Sequence, residues 1–367
     1  MLFRSAGLDS LVEITVNGIG YVNIWADWDQ NGQFDSDEQL MIDQFMSNQT
    51  ETFLLTTPLD ALAGNTWLRA RVSSTQGLVA SGGVADGEVE DYRILVINEG
   101  LSQIQHSPVY LAFEDNWPEL GDYDLNDVVV KQDSSVLVTE TGEVVLLEIN
   151  GSLRAMGAGY SNGFAIQLDG IEPTNIKSEL IRFEINGIPR SGLIELGTDD
   201  MVLLISENLQ DEVSILSGCT YYRTEQGCEQ NVEMVFSLKV PLLTPVAENA
   251  FPQAPYNPFI FASPGTWHGA SAGSMGRPLE IHLKNHQPTS KASQDIFGTA
   301  DDASAQGLTY QTANGLPWAL AIFPGSGAEW QHPLERTDLL EAYPDFEEFV
   351  NSNGDSAKNW YEAVNAI

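Results

Sequence analysis

With 367 residues the chain is long enough for two or more domains, each with its own core. Lys and Arg total 16 against 52 Asp and Glu, and the formal net charge of −36 repels phosphate and anionic lipid, which excludes nucleic acid and the membrane surface as partner classes. A hydrophobic fraction of 43% excludes a disordered chain, and no apolar run is long enough to span a bilayer, so no direct membrane insertion is expected.

The opening "MLFRSAGLDS" lacks the apolar stretch of a secretory signal, and the chain reads as a mature fragment. Next, Val12, Ile14, Val16, Val22 and Ile24 recur with period two, interrupted by Gly18 and Gly20, and predict strand. That strand runs into "ADWDQNGQFDSDE". Numbered from Asp27, the segment puts Asp27, Asp29, Asn31, Gly32, Gln33, Asp35 and Glu38 at loop positions 1, 3, 5, 6, 7, 9 and 12. This is the calcium-loop pattern of an EF-hand: oxygen donors at alternate positions, a backbone carbonyl at position 7, a turn glycine at 6 and a closing glutamate. The strand-like flanks exclude the helix pair of an EF-hand, so the loop is expected to hang from a β-strand. An ordinary Asn-Gly turn is the alternative.

Further strand signals follow in "ETFLLTTP", "NTWLRARVSS" and "DYRILVI". In "ADGEVEDYRI", alternation sends Glu88, Glu90 and Tyr92 to one face and Val89 and Asp91 to the other. These carboxylates take either a cation or an arginine partner, with Arg69 and Arg71 available on "WLRARVS". "NEGLSQIQHSP" reads as a linker. After it, "FEDNWPELGDYDLNDVVV" gathers Glu114, Asp115, Asp122, Asp124, Asn126 and Asp127 at the entrance of an apolar run. Six oxygen-bearing side chains so close repel one another if buried unpaired, and a cation would hold them together; a solvated acidic turn is the alternative.

From there "GEVVLLEINGSLRAM", "NGFAIQLDG", "LIRFEING", "DMVLLIS" and "PLEIHLKNH" predict strands. Cys219 and Cys228 flank the turn-like "TYYRTEQG" and suit a local disulfide across a hairpin connection in an oxidising compartment, with a pair of free thiols as the alternative. The aromatics of "FPQAPYNPFIFASPGTWHG", Tyr256 and Trp267 among them, are either sugar-stacking platforms or core cover. "GASAG" matches a nucleophile-elbow pattern but has loop-like flanks, so Ser271 reads as a loop serine. His282 and His286 fall four apart on a predicted strand, too far to share a metal. Near the end, Phe346, Phe349 and Val350, then Trp360, Tyr361 and Val364, recur at helical spacing and predict short capping helices.

"YVNIWADWDQNGQFDSDEQL" followed by "ADGEVEDY" resembles the bacterial GEVED domain, a small β-sandwich module recurrent in large secreted and surface proteins. "LAFEDNWPELGDYDLNDVVV", with "IFGTADD", "TANGLPWALAI" and "YPDFEEFVNSNG", resembles the LruC domain of bacterial surface proteins. "GDYDLND" is also similar to the acidic motif of calcium-dependent bacterial adhesins, a similarity that implies extracellular calcium binding.

The expected fold is mainly β: two β-sandwich-like domains, a GEVED-like sandwich over 1–98 and a LruC-like β domain over 99–367 with short C-terminal helices. The expected function is a calcium-binding, non-catalytic module of a secreted or surface protein, serving adhesion or matrix attachment to a glycan or protein ligand. Asp27, Asp29, Asn31, Gln33, Asp35 and Glu38 would hold one Ca2+, and Asp115, Asp122, Asp124, Asn126 and Asp127 a second. Glu88, Glu90, Asp91 and Glu114 are further candidates. A carbohydrate-binding module, or an accessory domain of a secreted hydrolase, is the other reading.

Overall fold

The computed structural model describes residues 2–3, 9–58, 61–96, 101–229, 233–325 and 328–362. Contacts divide the chain into two units, residues 1–102 and 103–367, and each has its own hydrophobic core.

In the first unit β1 (Leu2–Phe3), β2 (Asp9–Ala26), β3 (Gln39–Thr56), β4 (Gly64–Ser73) and β5 (Glu88–Val96) form a sheet in the order β1-β5-β4-β2-β3. All pairings are antiparallel except β1 with β5. The predicted interruption at Gly18 and Gly20 is no break, because β2 runs through both for 18 residues. The register against β3 shifts between Val16 and Ile19, and Gly18 takes a φ of +137° there. A bulge of this kind bends a strand, and Val12 and Val16 before it share one core with Val22, Ile24 and Ala26 after it. Gly87 opens the "GEVED" stretch with a φ of +107°, where a Cβ would overlap the Val72 carbonyl oxygen. Only glycine lets β5 leave its loop so close to β4.

In the second unit, β6 (Leu101–Gln105), β7 (Val109–Phe113), β8 (Val128–Thr139), β9 (Glu143–Ala155), β11 (Arg182–Ile185), β12 (Ile188–Pro189), β14 (Met234–Ala247) and β17 (Ala319–Ile322) form an eight-stranded sheet. β10 (Asn162–Leu168), β13 (Met201–Ser206), β15 (Asn257–Ala262) and β16 (Glu280–His282) form a four-stranded one. Val130, Leu147, Ile149 and Leu153 of the larger sheet share a core with Phe164, Ile166, Leu203, Ile260 and Ala262 of the smaller, so the two pack face to face as a sandwich. The protein is mainly β with antiparallel sheets and short C-terminal helices.

Those helices are α2 (Leu339–Ala342) and α3 (Asp345–Asn351), after a one-turn α1 (Gly269–Ala272). Leu339, Tyr343, Phe346 and Trp360 form a second core with Tyr110 and Ala112 of β7 and Leu320 and Ile322 of β17, and so cover one end of the larger sheet. Trp360 packs there from a turn rather than a helix, and Val364 lies outside the described residues.

Cys219 and Cys228 are disulfide-bonded. Their segment is not a hairpin connection, because it joins β13 of the smaller sheet to β14 of the larger. The aromatic-rich segment of residues 251–269 is not an open loop either. β15 runs through it, and Phe251, Tyr256, Phe259 and Phe261 are buried, which leaves Trp267, 57% exposed, as its large exposed ring.

Candidate metal centres

The first acidic loop connects β2 to β3. Asp27 directly follows β2, tied to β4 through its own N–H, which donates to Trp67 O at 2.9 Å, and through its carbonyl, which accepts from Thr66 Oγ1 at 2.5 Å. The chain then turns on its own side chains. Asp29 Oδ1 accepts from the Asn31 N–H at 3.1 Å, Asn31 Oδ1 from the Gln33 N–H at 2.7 Å, and Asp27 Oδ2 from the Gly32 N–H at 3.2 Å. Such side-chain-to-backbone bonds are what Asp and Asn favour in turns.

Glu38 closes the loop from the end of a 3-10 turn, Ser36–Glu38. Its Oε1 accepts from the Trp28 N–H at 2.6 Å and its Oε2 from the Asp35 N–H at 3.0 Å. Burial raises the Glu38 pKa, opposed by these backbone donors. Oxygen atoms of Asp27, Asp29 and Glu38 lie within 4.8 Å of one another, and Asp27 Oδ1 is buried with no hydrogen-bond partner. Asn31, Gln33 and Asp35 are exposed on the same turn, with Asn31 Nδ2 donating to both Asp29 and Asp35. Arg69 of β4 stacks over Phe34, 4.7 Å from the ring centroid, and fastens the loop to the sheet.

Arg69 also supplies an arginine partner to one member of the third cluster, Asp91. Its Nε and Nη2 donate to the two Asp91 carboxylate oxygens, each at 2.7 Å, across a β4–β5 register pair. Arg71 is buried and donates instead to the carbonyls of Val79 and Gly82. Glu88 and Glu90 are exposed, Tyr92 donates to Glu90, and neither glutamate joins the oxygens of the first loop.

The second acidic loop joins β7 to β8, and its alternating sequence splits it between two environments. Tyr123 and Leu125 are buried in the apolar core beneath the C-terminal helices, with φ of +56° and +52°. Left-handed non-glycine residues cost about 1–3 kcal/mol each and mark sites whose surroundings enforce them. Glu114, Asp115, Asp124, Asn126 and Asp127 are all buried as well, and Asp122 is exposed at the edge. Oxygens of Glu114, Asp122 and Asp124 lie within 4.8 Å of one another. Beside them, Asp127 Oδ2 accepts from the Asp115 N–H at 2.7 Å, and Asn162 Nδ2 donates to Asp115 Oδ2 at 2.6 Å.

No Lys or Arg side chain forms an ion pair with any of these carboxylates among the described residues. The consequence is electrostatic. Burial, then the charges of Asp127 and Asp124, push Glu114 well above the carboxylate range. Burial raises Asp115 to about 6 and, with the Asp127 charge, Asp124 to about 7; burial and the Asp115 charge raise Asp127 strongly. Asn126 Oδ1 is buried without a partner while its Nδ2 donates to Pro333 O at 3.1 Å. Buried hard oxygens with no cationic neighbour fit a divalent cation of the calcium type.

The structure adds residues that no local pattern marks. Asn162 is oriented by His268, whose Nε2 lies 3.2 Å from Asn162 Oδ1; burial lowers the His268 pKa to about 4, so the ring is neutral. Glu335 approaches Asn126 from the far end of the chain, and burial followed by the Asp124 charge raises its pKa to about 7. The motifs around "GTADD" and "GLPW" brace the same loop. Trp117 Nε1 donates to Asp302 Oδ1 at 3.1 Å, the Leu120 N–H to Asp301 Oδ2 at 3.0 Å, and Trp318 Nε1 to Glu119 O at 2.9 Å.

Ser271 lies on α1, and its hydroxyl donates to Glu119 Oε1 at 2.5 Å, while the His268 Nε2 is engaged by Asn162. The predicted strand through His282 and His286 ends at His282, whose ring meets Asn257 and Glu280.

Two units of mainly antiparallel sheet, each carrying an acidic loop at a strand junction, define a β-rich protein. Residues 142–361 match the model of a domain of unknown function, DUF4842, and residues 21–95 match the GEVED domain. The first match covers more than half of the sequence, and the chain belongs to the DUF4842 family. Among solved structures, a Bacteroides ovatus protein described as a "Putative lipoprotein" is similar at 17% identity and a TM-score of 0.49, over 95% of this chain and 98% of that one. No curated protein matches.

Proposed function

We propose that this chain is a calcium-binding, non-catalytic module of a bacterial surface or secreted protein, in which calcium rigidifies strand junctions and the module serves adhesion or matrix attachment. The second unit is read as LruC-like, over the region of the DUF4842 match. The observation that carries the calcium reading is the burial of Glu114, Asp115, Asp124 and Asp127 together without a Lys or Arg ion pair among the described residues. The unpartnered Asp27 Oδ1 in the EF-like loop supports a site in the first unit independently. The disulfide supports an oxidising, extracellular setting.

Cations that bind only the folded state stabilise it by RT ln(1 + [L]/Kd). Extracellular calcium modules bind at about 10⁻⁴ to 10⁻³ M, so millimolar calcium adds about 1.4 kcal/mol per site at a tenfold excess. The test of the calcium reading is terbium titration of the chelator-stripped chain with calcium as competitor. Saturable sensitised emission that calcium displaces is expected, and its absence overturns the reading. For adhesion, glycan and matrix-protein arrays probed in calcium and in EDTA should show calcium-dependent capture. No capture in either buffer sinks that half of the proposal.

A further inference from the structure

Three hydrogen bonds already join the second acidic loop to the C-terminal segment of the same unit. The Arg336 N–H donates to Asp124 Oδ2 at 2.7 Å across 212 residues of sequence, Asn126 Nδ2 donates to Pro333 O at 3.1 Å, and the Leu339 N–H donates to Tyr123 O at 2.8 Å. The chain between Pro333 and Leu339 therefore crosses the second acidic loop at Tyr123, Asp124 and Asn126. Glu335 stands in that crossing, its backbone N–H donating to Thr224 O at 2.9 Å and its Oε2 accepting from Thr224 Oγ1 at 3.2 Å.

The independent observation is Asn126. Its side chain is fully buried and its Oδ1 accepts no hydrogen bond. That oxygen and Glu335 Oε2 flank the same point over Gly157: a Cβ there would overlap Asn126 Oδ1 and lie 2.5 Å from Glu335 Oε2. A buried amide oxygen left unpaired beside a carboxylate costs free energy in both groups, and Glu335 has no Lys or Arg ion pair among the described residues. An oxygen-seeking cation satisfies both at once, and Gly157, which has no Cβ, leaves the room.

Resting on the calcium reading above, we infer that Glu335 and Asn126 Oδ1 are ligands of the second centre, so that the cation staples residues 333–338, and the helices α2 and α3 that follow, onto the acidic loop. The second site is then a clamp between two distant parts of the chain rather than a self-contained loop. Calcium removal loosens the C-terminal cover of the sheet as well as the loop.

The experiment is hydrogen–deuterium exchange of the full chain in calcium and in EDTA, combined with terbium titration of wild type, Glu335→Gln and Gly157→Ala. In wild type, calcium should protect peptides covering 114–127 and 333–346 together. Glu335→Gln, and Gly157→Ala by placing a methyl against both ligands, should weaken the second centre by on the order of tenfold or more. Both should lose the calcium-dependent protection of 333–346 while keeping the EDTA-state protection of β9 and β14, which shows that the fold persists. Second-centre affinity unchanged in both variants, or protection of 114–127 without 333–346, overturns the clamp alone. Absence of any cation at the second centre of wild type overturns the calcium reading along with it.

Discussion

Asp124→Asn should act in opposite directions with and without calcium. Burial and the Asp127 charge move the Asp124 carboxyl from 3.8 to about 7. In metal-free protein at about pH 8 its ionised form therefore disfavours folding by about 4 kcal/mol when this group is taken alone. Asparagine removes that charge, but its amide accepts at one oxygen where the carboxylate accepted at two, from Asn126 N–H and Arg336 N–H. The lost bond returns about 1–3 kcal/mol, leaving a net gain of about 2 kcal/mol and a melting temperature higher by about 5 °C in EDTA. In calcium the variant should melt below wild type, because a ligand is missing.

The pH dependence follows with a definite sign. A raised folded-state pKa means that the folded protein holds more protons than the unfolded chain between 3.8 and about 7, so metal-free stability rises as pH falls through about 7. Relaxation of the −36 net charge acts in the same direction, so the diagnostic is a shallower slope in Asp124→Asn than in wild type. Calcium needs the deprotonated carboxylates, and the melting-temperature gap between calcium and EDTA should shrink on acidification through about pH 7 to 6, where Asp124 and Asp115 take up protons. Scanning calorimetry at several pH values reads all of this. A variant less stable than wild type in EDTA would refute the view that Asp124 is an uncompensated buried charge.

Glu38→Gln should remove one calcium from the binding stoichiometry and leave the second centre unchanged, which calorimetric titration against wild type checks. Gly87→Ala should destabilise the first unit by about 1–3 kcal/mol or more, since the added Cβ meets the Val72 carbonyl at a φ of +107°; urea unfolding followed by tryptophan emission measures it. Replacing Cys219 and Cys228 by serine opens a short loop with a sequence separation of 9 and should lower the stability of the second unit by up to about 3 kcal/mol, read from the urea midpoint.

What could be read from the sequence was local. Oxygen donors at alternate positions from Asp27 to Glu38 carry their own turn chemistry, and the structure gathers Asp27, Asp29 and Glu38 into one cluster. The long strands were legible from period-two patterning, but Gly18 looked like a break because a bulge and a terminus share the same glycine signal. In "GDYDLND" the acids were visible, whereas the reason for the alternation was not: Tyr123 and Leu125 anchor the loop in a core built by residues 339–360. Glu335, Asn162 and His268 were not marked as parts of this site, because one acid among 52, or a lone Asn or His, is distinguished only by a fold that brings distant segments together. Asp91 was ambiguous until the β4–β5 register set it opposite Arg69. Tyr256, a candidate sugar platform by its loop-like neighbours, is instead core.

The most direct test is isothermal titration of calcium into the chelator-stripped 367-residue chain, with thermal unfolding recorded in calcium and in EDTA. The account predicts at least two bound ions, one per unit, and a higher melting temperature in calcium. No binding heat and identical melting curves up to several times the roughly 10⁻³ M expected of extracellular sites would contradict it.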